Sequence, residues 1–165
     1  MADLTPEQAW SRLTTWCARA ERAEHDVREK LRGWGIRATS TQDDIVERLR
    51  EEQYLNTERY CRAYVHDKFY LQRWGKRKIR EGLYMKRISA ACIEEALCDI
   101  DEEKYRETLT NILQSKLQAL SNKETVADSY QLAQQLFRFA YGRGYDTENI
   151  QACLRALGND WEVDE

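Results

Sequence analysis

Apolar residues recur along this chain at the three- to four-residue spacing of amphipathic helices. The first such stripe comprises Ala9, Trp10, Leu13, Trp16, Cys17 and Ala20. It follows Thr5-Pro6-Glu7-Gln8, in which Thr5 is a candidate cap, Pro6 takes the first helical position and Gln8 completes a capping box. Similar stripes fill most of the chain, and its 165 residues include only seven Gly and one Pro to interrupt them. The pattern predicts an all-α protein.

A repeat of about fifty residues underlies these stripes. Residues 27–36, 79–88 and 136–145 align without gaps, and the match resumes downstream after a four-residue insertion in the first copy, near Thr39 to Gln42. The coinciding apolar sets are Val27, Ile79 and Leu136; Leu31, Leu83 and Ala140; Ile36, Ile88 and Tyr145; Ile45, Ile93 and Ile150; and Leu49, Leu97 and Leu154.

We therefore predict three tandem three-helix repeats, at residues 1–53, 54–99 and 100–158, followed by an acidic tail at 159–165. A single three-helix repeat buries too little apolar area to be stable alone, so such repeats stabilise one another by stacking. Stacking predicts an elongated, curved molecule.

Capping residues predict where the helices of each repeat begin. The first helices of the second and third repeats should begin at Asn56 or Thr57 and near Asp101, and the third helices at Thr41 with Asp44, at Ser89, and at Asp146 or Thr147. Ser121-Asn122-Lys123-Glu124 forms a further capping box. The turn after each middle helix holds Gly35, Arg87 or Gly144. Glycine is expected where a helix ends in a left-handed residue, and Arg87 is the exception.

Charge is concentrated in one segment, which we call the basic island. It comprises Arg59, Arg62, Lys68, Arg73, Lys76, Arg77, Lys78, Arg80, Lys86 and Arg87. Only Asp67 and Glu81 oppose them, so residues 59–87 carry a local charge of +8 in a chain of net charge −3. Such segregation indicates an anionic partner, although a merely solvated helix face has the same composition.

Residues that support catalysis or metal binding are scarce. His25 and His66 have no second His or Cys at ligand spacing, and the five cysteines include no C-x-x-C pair. No phosphate-binding glycine loop occurs either. We therefore expect neither an enzyme nor a cofactor or metal site. Cys17, Cys61, Cys92 and Cys153 should be small buried residues in a reducing compartment.

Hydropathy indicates a cytoplasmic protein. No apolar run approaches the roughly 20 residues that span a bilayer, and the first residues lack the pattern of a signal peptide. We expect a monomer with no membrane partner.

The segment from Arg73 to Arg80 has the residues that polyanion binding requires. Gly75 should lie at a helix junction, with Lys76, Arg77 and Arg80 on one side of the next helix and Ile79 in the core. Phosphates or a carboxylate-rich protein groove would both suit that side. Trp74, Tyr70 and Tyr84 are candidates for base stacking, although we favour a core position for Trp74.

The same residues resemble the bacterial regulatory protein RecX family. The central motif reads Arg59-Tyr60-Cys61-x-Ala63-Tyr64-Val65, then Trp74-Gly75-x-x-Lys78-Ile79-x-x-x-Leu83-x-x-Lys86-Arg87-Ile88, then Ile93-x-x-Ala96-Leu97. The segment from Leu136 to Leu154, with Gly142-Arg143-Gly144-Tyr145, is similar to the family's C-terminal repeat. The resemblance covers residues 15–157.

That resemblance implies a non-enzymatic modulator, usually an inhibitor, of the RecA recombinase. Such a protein lies in the groove of the RecA filament on single-stranded DNA and interferes with filament extension, ATP turnover and strand exchange, and hence with recombination, DNA repair and the SOS response. The candidate RecA- or DNA-binding residues are Arg59, Arg62, Lys68, Arg73, Trp74, Lys76, Arg77, Lys78, Arg80, Lys86, Arg87 and Arg143. The alternative is a helical-repeat nucleic-acid-binding protein that acts independently of RecA.

Overall fold

A computed structural model describes residues 2–121 and 128–158, and all regular structure in these two ranges is helical. The helices are α1 (Pro6–Arg19), α2 (Glu24–Gly33), α3 (Thr39–Glu51), α4 (Thr57–His66), α5 (Lys76–Met85), α6 (Ala90–Leu97), α7 (Glu102–Ser121), α8 (Ser129–Gly142) and α9 (Thr147–Leu157). A π-helical turn, Asp67–Leu71, continues α4. The predicted all-α fold is confirmed. Asn122–Glu124 of the predicted capping box and the predicted tail at 159–165 lie outside the described residues.

The chain forms two compact units. The first unit contains residues 1–64 and 83–93, and the second unit contains residues 65–82 and 94–165. The segments that join them run within α4, α5 and α6, so residues of the second predicted repeat belong to both units. The division into three repeats stays a prediction.

The core of the first unit is built from the predicted stripes of α1, α2 and α3. It contains the buried side chains of Ala9, Leu13, Val27, Leu31, Ile36, Ile45, Val46, Leu49 and Leu55, with Trp10, Trp16, Trp34 and Tyr54 packed against them. At its start, α1 has the predicted capping box: Gln8 N donates to Thr5 Oγ1 at 3.2 Å, and Thr5 N donates to Gln8 Oε1 at 3.0 Å. Local sequence therefore determines where this core's first helix begins.

The aligned turn positions share one backbone conformation. Gly35, Arg87 and Gly144 have positive φ angles of 87°, 58° and 100°. The residue after each of them, Ile36, Ile88 or Tyr145, is buried. A left-handed residue followed by an apolar contact is the usual way to end a helix, and here it occurs even where the residue is arginine. The three aligned turn positions thus all have positive φ, including Arg87, where the residue type argued against it.

The predicted start of α3 at Thr41 is wrong. The helix begins two residues earlier, at Thr39, after Ala38, which provides no side-chain cap. The four inserted residues therefore lengthen α3 instead of forming a loop. The longer helix places Gln42 where its buried side-chain amide donates to Ile36 O at 2.9 Å. This hydrogen bond satisfies a buried polar group in the helical conformation.

The other predicted helix starts are confirmed by their caps. Asn56 Oδ1 accepts from Arg59 N at 2.9 Å, Ser89 Oγ accepts from Cys92 N at 3.3 Å, Asp101 Oδ1 accepts from Lys104 N at 2.9 Å, and Asp146 Oδ1 accepts from Asn149 N at 2.9 Å. Each bond satisfies one of the free N–H groups at a helix start.

Three of the four cysteines predicted to be buried are buried: Cys17, Cys61 and Cys153. Cys92 is only half-buried, and its Sγ lies 3.8 Å from that of Cys61. Burial is the largest cause that raises the pKa of Cys61, to about 12. Cys61 therefore behaves as a packing residue at neutral pH.

Candidate functional site

The two units divide the basic island between them. Arg59, Arg62, Lys86 and Arg87 belong to the first unit, and Lys68, Arg73, Lys76, Arg77, Lys78 and Arg80 to the second. In α5, Ile79 and Leu83 are fully buried, as predicted, which leaves the cations on the other sides of the helix. The island therefore provides two surfaces, one in each unit.

Five of the ten cations form ion pairs within their own unit. The nitrogen-to-oxygen distances are 2.6 Å for Lys76–Glu102, 3.2 Å for Arg77–Glu81 and 2.5 Å for Arg80–Glu94 in the second unit, and 3.0 Å for Arg59–Glu21 and 2.8 Å for Lys86–Asp26 in the first. The hydrogen bond from Arg80 is the main cause that lowers the pKa of Glu94. A polyanion that approached these five cations would have to compete with carboxylates already in place. The three residues predicted to form a binding side, Lys76, Arg77 and Arg80, are all in this group.

Four other cations make no ion pair with any residue that the structure describes. They are Arg62, Arg73, Lys78 and Arg87. Their charges are therefore available to an external anion at no cost in broken ion pairs. Sequence alone did not separate these four residues from the paired five, because each partner except Glu81 is distant in sequence.

Trp74 is half-buried, and two lysines lie over its ring. The ammonium nitrogens of Lys68 and Lys78 are 4.6 Å and 4.2 Å from the ring centroid. Such cation–π contacts hold two positive charges close together without neutralising them. Trp74 is thus neither a fully buried core residue nor an open stacking face. Tyr70, the neighbouring candidate for stacking, is 44% exposed.

The start of α5 is capped entirely by the second unit. Gly75 N donates to Arg143 O at 2.8 Å and Arg77 N donates to Gly144 O at 3.0 Å. Between them, Lys76 N donates to the Tyr105 hydroxyl at 3.0 Å. The N–H groups at a helix start often bind phosphate, but here those of Gly75, Lys76 and Arg77 already have protein acceptors. Phosphate contacts at this end of α5 would therefore depend mainly on side chains.

The backbones of Gly75 and Gly144 touch where α5 begins. A Cβ on Gly75 would lie 2.3 Å from the carbonyl atoms of Gly144, and a Cβ on Gly144 would lie 2.3 Å from Lys78 Cβ. Arg143, the C-terminal candidate, donates from Nη1 to Gln72 O at 3.2 Å at the same junction. The turn after α8 therefore fixes the segment that carries Arg73, Trp74 and Lys78.

Three buried aromatic rings, those of Phe69, Tyr105 and Tyr145, pack together next to this junction. Tyr105 packs on Phe69 with a centroid distance of 5.7 Å and on Tyr145 with 5.2 Å. The Tyr145 hydroxyl donates to Arg73 O at 3.1 Å. Burial is the largest cause that raises the pKa of both tyrosines, and that of Tyr105 reaches about 12. The Tyr145 hydroxyl must therefore stay protonated to hold the Arg73 carbonyl in this position.

We expect the stability of the protein to fall between pH 10 and 12, partly through Tyr105. In the unfolded chain this phenol titrates near its ordinary pKa of 10.0, whereas in the folded protein its pKa is about 12. Below pH 10 both states bind the proton and the contribution is complete; above it the unfolded state loses the proton first, so stability declines. Urea titrations from pH 8 to 12 should show a flatter decline for Tyr105→Phe than for the wild type.

Tyr130→Phe is the matched control for that experiment, because Tyr130 is 45% exposed and has no such buried position. Its stability should follow the wild-type pH profile. An unchanged profile for Tyr105→Phe would contradict the expectation.

In the first unit Arg87 borders an exposed apolar surface. Tyr84 and Met85 are each 72% exposed, and with His25, Arg87, Ile88 and Ser89 they line an open groove of about 680 Å³. A neighbouring cleft of about 280 Å³ shares four of these residues. Sequence analysis weighed Tyr84 only as a base-stacking residue and did not single out Met85. The sequence feature that indicates their exposure is that Tyr84 and Met85 are apolar but lie outside the buried stripe of Ile79 and Leu83.

Within residues 2–121 and 128–158, no three His, Cys, Asp or Glu side chains come together in a group that could hold a metal ion. No helix in these residues is both long enough and apolar enough to cross a membrane.

Comparison with known families and structures gives consistent matches. Residues 56–97 match the model of the second three-helix domain of RecX. The chain resembles the regulatory protein RecX of Clostridium perfringens strain 13, with 32% identity over 139 residues, and that of Clostridium botulinum strain Eklund 17B, with 34% identity over 138 residues. Each alignment covers 84% of this chain and 63% of the relative, so the chain spans somewhat less than two thirds of these relatives.

Solved structures agree on the fold. The crystal structure of RecX from Lactobacillus salivarius superposes with a TM-score of 0.80 at 16% identity, over 92% of this chain and 96% of that one. A second crystal structure of regulatory protein RecX gives a TM-score of 0.76 at 20% identity, over 91% of this chain and 71% of that one. The matched domain and the relatives above make this chain similar in sequence to the RecX family of regulatory proteins, and the two solved structures show that it has the RecX fold.

Proposed function

We propose that this protein regulates a RecA recombinase, most simply as an inhibitor. It binds in the groove of the RecA filament on single-stranded DNA and lowers filament extension, ATP turnover and strand exchange. Similarity to the RecX regulatory proteins, in the matched domain and along 84% of this chain, is the observation that carries this proposal. No chemistry of its own is required, since binding alone can block a filament.

The charge arrangement supports two kinds of contact. In the second unit, Arg73 and Lys78 offer unpaired charge next to Trp74, and phosphates need only charge and geometry. In the first unit, Arg87 lies beside exposed apolar side chains, a combination suited to protein. A regulator of a protein–DNA filament needs both kinds of surface. We propose that the remaining candidates contribute flanking positive charge to these two surfaces. They are Arg59, Arg62, Lys68, Lys76, Arg77, Arg80, Lys86 and Arg143.

The organisation of the chain completes the proposal. We infer that residues 1–53, 54–99 and 100–158 are three related repeats and that the protein acts as a monomer in the cytoplasm, where RecA filaments form. The aligned left-handed turns at Gly35, Arg87 and Gly144 support the repeat.

The test is a titration of RecA ATPase activity on single-stranded DNA. We expect ATP hydrolysis to fall as the protein is added, with a large effect at or below one molecule per RecA protomer. ATP turnover that is unchanged at equimolar protein would sink the proposal. The control repeats the same titration in a large excess of single-stranded DNA. Inhibition that persists in excess DNA assigns the effect to the filament.

A second candidate function is binding to nucleic acid without RecA. It is favoured by the positive charge that Lys68 and Lys78 bring together over Trp74, and by the exposed ring of Tyr70, which could stack on a base. This function predicts tight, strongly salt-dependent binding to single-stranded DNA alone. It also predicts that excess DNA abolishes any inhibition of RecA.

A further inference from the structure

The first unit has one conspicuous exposed apolar pair. Of the large hydrophobic side chains of this unit that the structure describes, only Tyr84 and Met85 are exposed, each at 72%. They end α5, just after Leu83 enters the core. Burying such side chains against a partner would be favourable, whereas leaving them in water contributes nothing to the fold.

Arg87, three residues after Tyr84, occupies a backbone conformation that disfavours it. Its φ of 58° is the left-handed region, and the equivalent turns of the other two repeats use Gly35 and Gly144. Glycine would relieve the strain, yet this turn carries the longest cationic side chain. Strained non-glycine residues are concentrated at functional sites. The guanidinium makes no ion pair with the described residues. The hydrogen bond from Arg32 is the main cause that lowers the pKa of Glu29, and the charge of Arg87 is only a minor one.

Tyr84, Met85 and Arg87 border the open groove, and Arg87 also borders the neighbouring cleft. The open groove of about 680 Å³ is lined by Tyr84, Met85, Arg87 and three neighbours, and the cleft of about 280 Å³ continues from Arg87 toward α2. The charged residues that line the cleft are Arg28, Arg32, Lys86, Arg87 and Glu24. Arg28, Arg32 and Lys86 already form ion pairs with carboxylates, so among the described residues Arg87 is the lining cation without an ion pair. Charge complementarity therefore favours an acidic group in the cleft, with an apolar group over the pair.

A protein partner fits this surface better than nucleic acid. Tyr, Met and Arg are the residue types enriched at the centres of protein interfaces, and methionine adapts to different partners. A phosphate backbone would in addition approach Glu24 in the cleft wall and Asp26, which holds Lys86 at 2.8 Å. A single carboxylate matches the one unpaired lining cation, Arg87, whereas a row of phosphates would extend along a surface that also carries these two acids.

We propose that Tyr84, Met85 and Arg87 form a protein-docking site that receives a RecA segment carrying a carboxylate beside an apolar side chain. The proposal rests on the proposed function for the identity of the partner. The carboxylate pairs with the Arg87 guanidinium, and the apolar side chain covers Tyr84 and Met85.

Arg87→Gly is the decisive variant, because stability and docking should change in opposite directions. We expect it to raise the half-inhibiting concentration in the RecA ATPase titration by about tenfold, as loss of an interface arginine commonly does. Removing the left-handed strain should raise the melting temperature by about 2–4 °C. Affinity for single-stranded DNA alone, measured by fluorescence anisotropy, should not change. Tyr84→Ser combined with Met85→Ser should also weaken inhibition.

Gln53→Gly is the matched control. Gln53 has a φ of 63°, is exposed and lies in the same unit, so glycine there should give the same rise in melting temperature with normal inhibition. Wild-type inhibition by Arg87→Gly would overturn the docking site while leaving the proposed function intact. A parallel loss of affinity for DNA alone would reassign the surface to nucleic acid. If the wild type itself does not inhibit RecA, the proposed function and the docking site both fall.

Discussion

Gly144→Ala should lower the free energy of unfolding by about 3 kcal/mol or more. Two costs combine at this position. Its φ of 100° lies in the region that L residues rarely adopt, and the new Cβ would lie 2.3 Å from Lys78 Cβ and 2.7 Å from Lys78 N. Neither neighbour can move freely, since one is backbone and the other is directly attached to it.

Gly75→Ala should be comparably destabilising for a different reason. Its φ is not in the left-handed region, but an added Cβ would meet only backbone: the Gly144 carbonyl and Tyr145 N, all at 2.3 Å. Relief of that clash would separate the turn after α8 from α5 and break the hydrogen bonds from Gly75 N and Arg77 N. Loss of these bonds would leave donors at a helix start unsatisfied.

Gly142→Ala is the control for both substitutions. Gly142 is the last residue of α8, and a Cβ there would meet nothing within 4 Å. Alanine should be neutral or stabilise the helix by up to about 1 kcal/mol. Urea unfolding followed by circular dichroism gives all three values. A loss below about 1 kcal/mol for Gly144→Ala or Gly75→Ala would show that the junction is not as tight as described.

Neutralising Arg73 and Lys78 together should flatten the salt dependence of binding to single-stranded DNA. If each side chain contacts one phosphate, Arg73→Gln with Lys78→Gln should reduce the slope of log affinity against log salt by about 1.4, or about 0.7 for each contact. These two cations are suitable because neither forms an ion pair within the described residues. Fluorescence anisotropy at a series of salt concentrations measures the slope.

The control removes an existing ion pair and keeps the net charge. Arg80 and Glu94 form such a pair, so Arg80→Gln with Glu94→Gln should leave the slope almost unchanged. Reversing Lys76, Arg77 and Arg80 would be a poorer test, since each would then face a carboxylate and destabilise the fold. An unchanged slope for the first variant with lost inhibition of RecA would assign Arg73 and Lys78 to protein contacts. An unchanged slope with normal inhibition would show that they contribute to neither contact.

Local patterns predicted the helices because the forces that start and end a helix act over four residues or fewer. The cap at Thr5, the turns at Gly35 and Gly144 and the buried positions Ile79 and Leu83 are all of this kind. The start of α3 was missed because it depends on a longer contact. Gln42 reaches Ile36 O six residues away, and no local rule for caps includes that bond.

By itself, the sequence determined the all-α class, the fifty-residue repeat, the position of the basic island and the resemblance to RecX. Periodicity and composition are properties of consecutive residues, so they can be read along the chain. Only the tertiary structure decided which cations are free. Lys76 and Glu102 are 26 residues apart in the sequence, and the start of α5 is still further from the Gly144 turn. Both pairs meet because packing of the apolar faces brings their helices together. The same packing leaves Tyr84, Met85 and Arg87 exposed, and so separates the side chains that hold the fold from those available to a partner.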